Sequence, residues 1–352
     1  MTDEDVFPYL RERLPDFTPV GEPARLPEGN LNVVWRVPGE EMSIIVKYAP
    51  PYIAADPDTP LDPSRLTIEA RCLEALGTGG ALSGVCRASV RAPRPLDVNE
   101  DDHVLVMEDL GDLPTLGRWL RRADPDAVQE RAPTIGEQLG GFIGDLHAAT
   151  HDDEACAETF DNGPMQETRF AVQYQGVAGM LEAGGVSDAE ELGTRAEALG
   201  SDLLESGCCL TMGDLWPPSV LVAHEGLRLI DWELAHYGRP LQDVAHVLAH
   251  LWMQQHRAPT SAVADAVDDF RRSFLAAYRE ALAEKEEGLW TEQEGRDAAI
   301  HLGAEILVRA VGPFQSGYLY KGLPPDHAAV QEVVTTAARH LRGDETLQLF
   351  SS

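Results

Sequence analysis

The chain has 352 residues, 43% of them hydrophobic, which is enough for two sizeable lobes. Acidic residues number 59 against 28 basic ones, a net charge of −31. Nucleic acid and anionic membrane surfaces are therefore not expected partners, because affinity for both comes from cations that neutralise phosphates.

In chain order, "MTDEDVFPYL" is acidic and lacks the apolar core of a signal peptide, and no later run approaches the roughly 20 apolar residues of a membrane span. The expected location is the cytoplasm. "LNVVWRV" (31–37) and "MSIIVKYA" (42–49) are β-branched runs joined by "PGEE", a hairpin signal. The Pro-rich stretch 50–64 reads as an ordered loop. "SRLTIEARCLEALG" reads as a helix capped by Ser64 and ended by Gly77, and "HVLVMEDLGD" (103–112) as a strand running into a connector. The pattern then turns helical. "PTIGEQLGGFIGDLHAAT" carries an apolar face, and its glycines imply close helix packing or a bend. Helices are expected over 187–206, 241–256, 261–285, 291–312 and near 325–342. The expected architecture is α+β and bilobal: an antiparallel-sheet lobe over 1–110 and a larger helical lobe over 111–352. The five cysteines form no C-x-x-C pair and are expected to be free thiols, mostly buried. The chain has only three lysines, so Lys47 at the end of an apolar run stands out. A high-salt cytoplasm would account for so acidic a surface, and a GC-rich genome for the preference of Arg over Lys.

One hairpin concentrates carboxylates. "VLV" (220–222) and "LRLI" (227–230) read as antiparallel strands. Asp214 and Ser219 precede the first, and Asp231 and Glu233 follow the second. A hairpin brings its open ends together, so all four can face one volume. Converging carboxylates need a cation, and oxygen ligands suit Mg²⁺, which keeps positions open for substrate phosphates. Phosphoryl transfer uses such parts: one Asp for the acceptor hydroxyl, a polar residue five positions on, a second Asp on the metal, and a strand lysine paired to a helix glutamate. Asp214, Ser219, Asp231, Lys47 and Glu69 fill those places.

The set resembles the aminoglycoside phosphotransferase/choline kinase superfamily, which has a protein-kinase-like fold, and within it most resembles 5-methylthioribose kinases. The likeness is carried by "EGNLNVVWRV", "IVKYAPPYI", "RLTIEA", "VMEDL", "GDL" with Ser219, and "IDWELAHYG". It implies ATP and Mg²⁺ as cofactors, a small-molecule hydroxyl as acceptor, and dimers. Asp214 would be the base; Asp231, Glu233 and Ser219 the metal ligands. Lys47 and Glu69 would hold the phosphates, Gly29, Asn30 and Asn32 would cover them, and Met107, Glu108 and Leu110 would form the adenine hinge. Trp216, Arg309, His236 and Tyr237 would line the acceptor side. Met212 stands where a histidine is usual, Ser219 where most members have Asn, and Trp232 where methylthioribose kinases have Pro. Of that family's twin arginines only Arg309 is retained. Two readings stay open: an active kinase for a sugar, an aminoglycoside or a choline-type alcohol, and a nucleotide-binding regulatory module without turnover. His246 and His250 have zinc-compatible spacing but no H-E-x-x-H. Asp243 is expected to cap a helix or hold the catalytic loop.

Overall fold

The β-branched runs near the N-terminus pair into a five-stranded antiparallel sheet. In the computed structural model, which describes residues 1–27, 30–86, 89–205 and 207–344, its order is Ala24–Arg25, Val33–Val37, Ile44–Tyr48, Val104–Glu108 and Pro95–Asn99. Val37 faces Ile44 and Val34 faces Lys47, as the hairpin signal requires. Strand alternation sends Trp35, Val37, Ile44, Val46, Val104 and Val106 to one face, where Val6 and Leu10 of an unforeseen helix, Val6–Arg13, complete a small core. Lys47, one residue on from Val46, points the other way.

The stretch expected as a loop after the lysine strand holds a short ribbon, Tyr52–Ile53 paired with Asp56–Pro60. As an exposed edge, it tolerates prolines that have no N–H to donate. Helix Arg65–Leu76 follows. Ser64 occupies its N-cap position without a side-chain capping bond; the Asp62 carboxylate instead accepts from Ser64 N at 2.8 Å.

In the helical half, the helix expected to start at Pro133 starts at Pro125. Asp124 caps it by accepting from the N–H groups of Asp126 and Ala127, and Pro133 lies inside it. Gly136, Gly140 and Gly144 share one face of this helix, Pro125–Ala149. A Cβ there would lie 2.3, 2.1 and 2.7 Å from the carbonyl oxygens of Phe270, Phe274 and Tyr278 in helix Ser261–Leu282. Close approach of two helices is thus what the glycines provide, and its packing offsets their propensity cost of about 1 kcal/mol each. Helix Glu292–Ala310 packs between Leu241–His256 and Ala328–Arg342.

Between these parts lie the hairpin, Val220–Ala223 with Gly226–Leu229, and a ribbon of Cys209–Thr211 with His236–Gly238. Strand Val90–Arg91, too short to be read from sequence, joins the hairpin in parallel and ties the first half of the chain to the second. The five cysteines are free; Cys72, Cys156 and Cys209 are buried. No described helix is long and apolar enough to cross a membrane.

Candidate active site

The lysine strand sets the first half of the site. Lys47 is almost fully buried, and its ammonium lies 2.6 Å from Glu69 Oε2, 3.0 Å from Asp231 Oδ1 and 3.7 Å from Glu233 Oε1. Burial alone would lower the lysine pKa; three carboxylates outweigh it and raise it well above the ordinary value. Glu69 is the under-compensated member. Burial pushes it up to about 7, against the pull of Lys47 and with the push of Glu233 and Asp231. One ammonium is shared by three carboxylates, so it is over-stabilised while the most buried carboxylate is not. Asp231 sits at φ 63°, a left-handed conformation that Asp tolerates better than most residues.

Glu233 Oε2 accepts from Asn32 Nδ2 at 2.7 Å and lies 3.2 Å from Arg65 Nε, while Oε1 faces Lys47. Oε2 is engaged by two protein donors, while Oε1 has only the Lys47 ammonium, beyond hydrogen-bond distance. Asn32 correspondingly points inward to Glu233 rather than covering phosphates. Arg65 is fully buried and also donates to the carbonyls of Asp62, Leu31 and Pro50. Asn30 contributes its carbonyl to Ala55 N, and Gly29 lies outside the described residues.

The catalytic loop is built from behind. The Asp243 carboxylate accepts from Met212 N at 2.8 Å, Gly213 N at 2.9 Å and His147 Nε2 at 3.1 Å, all buried. Asp243 therefore holds the loop and makes no helix-capping bond. Gly213 takes φ +78°, and a Cβ there would lie 2.1 Å from Leu234 O; only glycine fits before Asp214. The buried Ser219 hydroxyl lies 3.1 Å from Asp214 O and 2.8 Å from Trp216 O, fastening the bend. Beyond the hairpin, Asn162 Nδ2 donates to Glu233 O and Ala235 O. Trp232 is buried edge-to-face on Phe142.

Asp214 faces a group that the sequence did not announce. Its Oδ1 lies 3.4 Å from Arg169 Nη2 and 3.2 Å from His246 Nε2. Burial would raise its pKa, but His246, Arg169 and Arg309 outweigh that and hold it at about 2. Arg309 lies 4.4 Å over the Trp216 ring, against Phe314 and Tyr318, with Nε 2.7 Å from Glu305 Oε1. The structure thus brings Trp216 and Arg309 together beside Asp214. It gives His236 and Tyr237 other neighbours. His236 Nδ1 lies within the ribbon near Thr211 Oγ1 and Leu234 O, and the Tyr237 hydroxyl donates to Cys208 O. At the expected hinge, Ile45 pairs with Met107 and Ile44 with Glu108. The Glu108 carboxylate is held by Arg91 and by Arg94 N, and Leu110 follows in the connector. The residues missed were Arg65, Arg169, His301, Glu305 and Tyr318. Of these only Glu305 carried a local signal, its i,i+4 spacing from Arg309.

The family model described as "Phosphotransferase enzyme family" matches residues 23–291. The 4-hydroxytryptamine kinase of Psilocybe cyanescens is 28% identical over 267 residues, covering 72% of this chain and 73% of that protein. The methylthioribose kinase of Exiguobacterium sibiricum is 25% identical over 327 residues, covering 81% of this chain and 78% of that protein. A choline/ethanolamine kinase family protein from Mesorhizobium loti has a solved structure that matches with TM-score 0.53 at 16% identity, over 97% of this chain and 99% of that one. The fold is the expected one, α+β and protein-kinase-like. With most of its length matched by that model, the chain belongs to the phosphotransferase enzyme family.

Proposed function

We propose that this chain is an ATP- and Mg²⁺-dependent kinase that phosphorylates a hydroxyl of a small molecule, with lobes 1–110 and 111–352. The observation that carries the reading is the convergence of Lys47 on Glu69 and Asp231 at the exit of a hairpin whose entry fixes Asp214. Lys47 neutralises phosphate charge, and Glu69 keeps its ammonium in place. The hinge Met107, Glu108 and Leu110 meets the adenine. Asp214 receives the hydrogen bond of the acceptor hydroxyl and orients it. At a pKa of about 2 it is a weak base, which suits a loose transition state in which the hydroxyl proton is taken late.

The donor set fits a hard cation. Glu69, Asp231 and Glu233 face Lys47 and Arg65, leaving one negative charge uncompensated, and the Asp231 side chain is 47% exposed. Asp231 would hold Mg²⁺, with Glu233 joining through Oε1, which accepts no hydrogen bond from the protein. When bound, the ion supplies charge neutralisation at the phosphates.

Around Asp214 the charges balance: Arg169 and Arg309 match Asp214 and Glu305. With Trp216, Tyr318 and Phe314 as an aromatic wall, this favours a neutral sugar or a phenol over a polycationic aminoglycoside. The relatives that are kinases of methylthioribose and of 4-hydroxytryptamine support that ordering.

The regulatory-module reading rests on Met212 and Ser219. The loop geometry favours activity instead, because Asp243 grips the backbone N–H groups of residues 212 and 213 while the Met212 side chain only fills core. ADP release across a panel of sugars, phenols and amino alcohols decides between them. Turnover lost in Asp214→Asn supports the kinase; nucleotide binding with no turnover on any acceptor supports the module.

A further inference from the structure

Helix Leu241–His256 carries His246 and His250 one turn apart, both buried, and neither has a task in the kinase reading on which this inference rests. His250 closes a hydrogen-bond chain to Glu305; His246 Nε2 meets Asp214 as a close charge contact, without the alignment of a hydrogen bond. The carboxylate oxygens within 4 Å of His246 Nε2 are Asp214 Oδ1 at 3.2 Å and Glu305 Oε1 at 3.8 Å. An ionised carboxylate only accepts, so Nε2 carries the proton and, in a neutral ring, Nδ1 accepts. His301 Nε2 lies 3.2 Å from that Nδ1 and must donate. His301 Nδ1 then accepts from the Tyr174 hydroxyl at 2.7 Å. With a neutral His246 ring every nitrogen of this chain has a role.

The same wiring recurs. Tyr318 OH lies 2.9 Å from His250 Nδ1, and His250 Nε2 lies 3.0 Å from the Glu305 oxygen that also accepts from Arg309. Tyr278 OH lies 2.9 Å from His147 Nδ1, and His147 Nε2 lies 3.1 Å from Asp243. In these two cases a tyrosine hydroxyl meets a histidine that in turn holds a carboxylate. Burial keeps His301 well below the ordinary histidine range and His250 at about 4, so both rings are neutral donors.

Ligand atoms of His246, His250 and Glu305 lie within 4.8 Å of one another, close enough for a transition metal. The Arg309 guanidinium on the same Glu305 oxygen opposes a cation there. Hydrogen-bonded wiring, not ligation, fits the charges.

We propose that His246, held from behind by His301 with Nε2 against Asp214 Oδ1, is a positioning residue that aims Asp214 at the acceptor hydroxyl. His246 and Arg169 both reach Oδ1, which leaves Oδ2 for the substrate. His250 performs the parallel task for Arg309 through Glu305 and so acts on acceptor binding.

The test compares His246→Met with His246→Gln, whose amide N–H can replace the Nε2–H donor. In steady-state ADP release, His246→Met should lower kcat roughly 10- to 100-fold, the scale of one hydrogen bond to a charged group, with KM for ATP unchanged. His246→Gln should recover most of kcat. His250→Met should raise acceptor KM more than it lowers kcat. Thermal melting and Mg-ATP binding report folding of each variant. If His246→Met does not fold, ¹⁵N NMR of the wild-type protein decides, because the proposal requires a proton on His246 Nε2. Wild-type kcat in His246→Met, equal losses in Met and Gln, or an Nδ1–H tautomer at His246 overturns the proposal. So does stoichiometric Zn²⁺ binding that His250→Met abolishes. A wild-type protein with no ADP release on any acceptor sinks the kinase reading instead and leaves the tautomer result to stand by itself.

Discussion

At the exit of the hairpin a single ammonium, Lys47, and one guanidinium, Arg65, face three carboxylates. At its entry, two guanidiniums and two histidines surround two carboxylates. The first cluster keeps an excess negative charge and an exposed Asp231; the second is charge-balanced and walled by aromatic rings. An unbalanced, half-open cluster is suited to receive a mobile cation with its phosphates. A balanced one is suited to hold a side chain still while the acceptor changes. The contrast teaches that net charge, −31 for the chain, says little about a site: within one molecule, the local balance differs between the exit of a hairpin and its entry.

The contrast is broken most severely by removing its cation. Lys47→Met leaves Glu69 buried against Glu233 and Asp231, and kcat/KM for ATP is expected to fall by about 10²-fold or more, with acceptor KM little changed. A comparable rise in acceptor KM would show that the two clusters are not separate. Arg65→Met tests the same cluster through stability. Stripping a buried charge partner from Glu233 should cost about 3–5 kcal/mol, read as a lower midpoint in chemical denaturation.

On the acceptor side the expected effects are smaller and carry a pH signature. Asp214 at about 2 stays ionised across the working range, so wild-type kcat/KM should show no acidic limb from this group between pH 8 and 5. Arg169→Gln removes a positive neighbour, destabilises the carboxylate, raises its pKa and moves the acidic limb upward in pH. An unmoved limb would show that Arg169 does not govern Asp214. The smallest effect should come from Ser219→Ala, which loses the hydroxyl lying between Asp214 O and Trp216 O. About 1 kcal/mol of stability and a modest fall in kcat are expected, measured by melting and ADP release.

The legible part of the molecule was the local part. Lys47, Glu69, Asp214, Ser219 and Asp231 could be placed because strand, helix and hairpin put them there within a few residues of a turn or a strand end. Glu233 was placed in the right cluster, but its partners Asn32 and Arg65 come from far away in sequence and could not be read. The acceptor side was nearly silent. Arg169, His246 and the pair His301 and Glu305 come from three helices, and only their packing brings them to Asp214. His236 and Tyr237 illustrate the converse: adjacency to "DWEL" suggested the acceptor side, but ribbon pairing with Thr211 and Leu210 turns them elsewhere. Pro133 misled the helix start because a proline inside a long helix reads as its first turn.

The most direct test of a division between a nucleotide end and an acceptor end uses one variant and two measurements. Asp214→Asn should bind Mg-ATP with wild-type affinity by isothermal titration while releasing no ADP with any acceptor the wild-type enzyme uses. Loss of Mg-ATP binding in that variant, or retained turnover, would contradict the account.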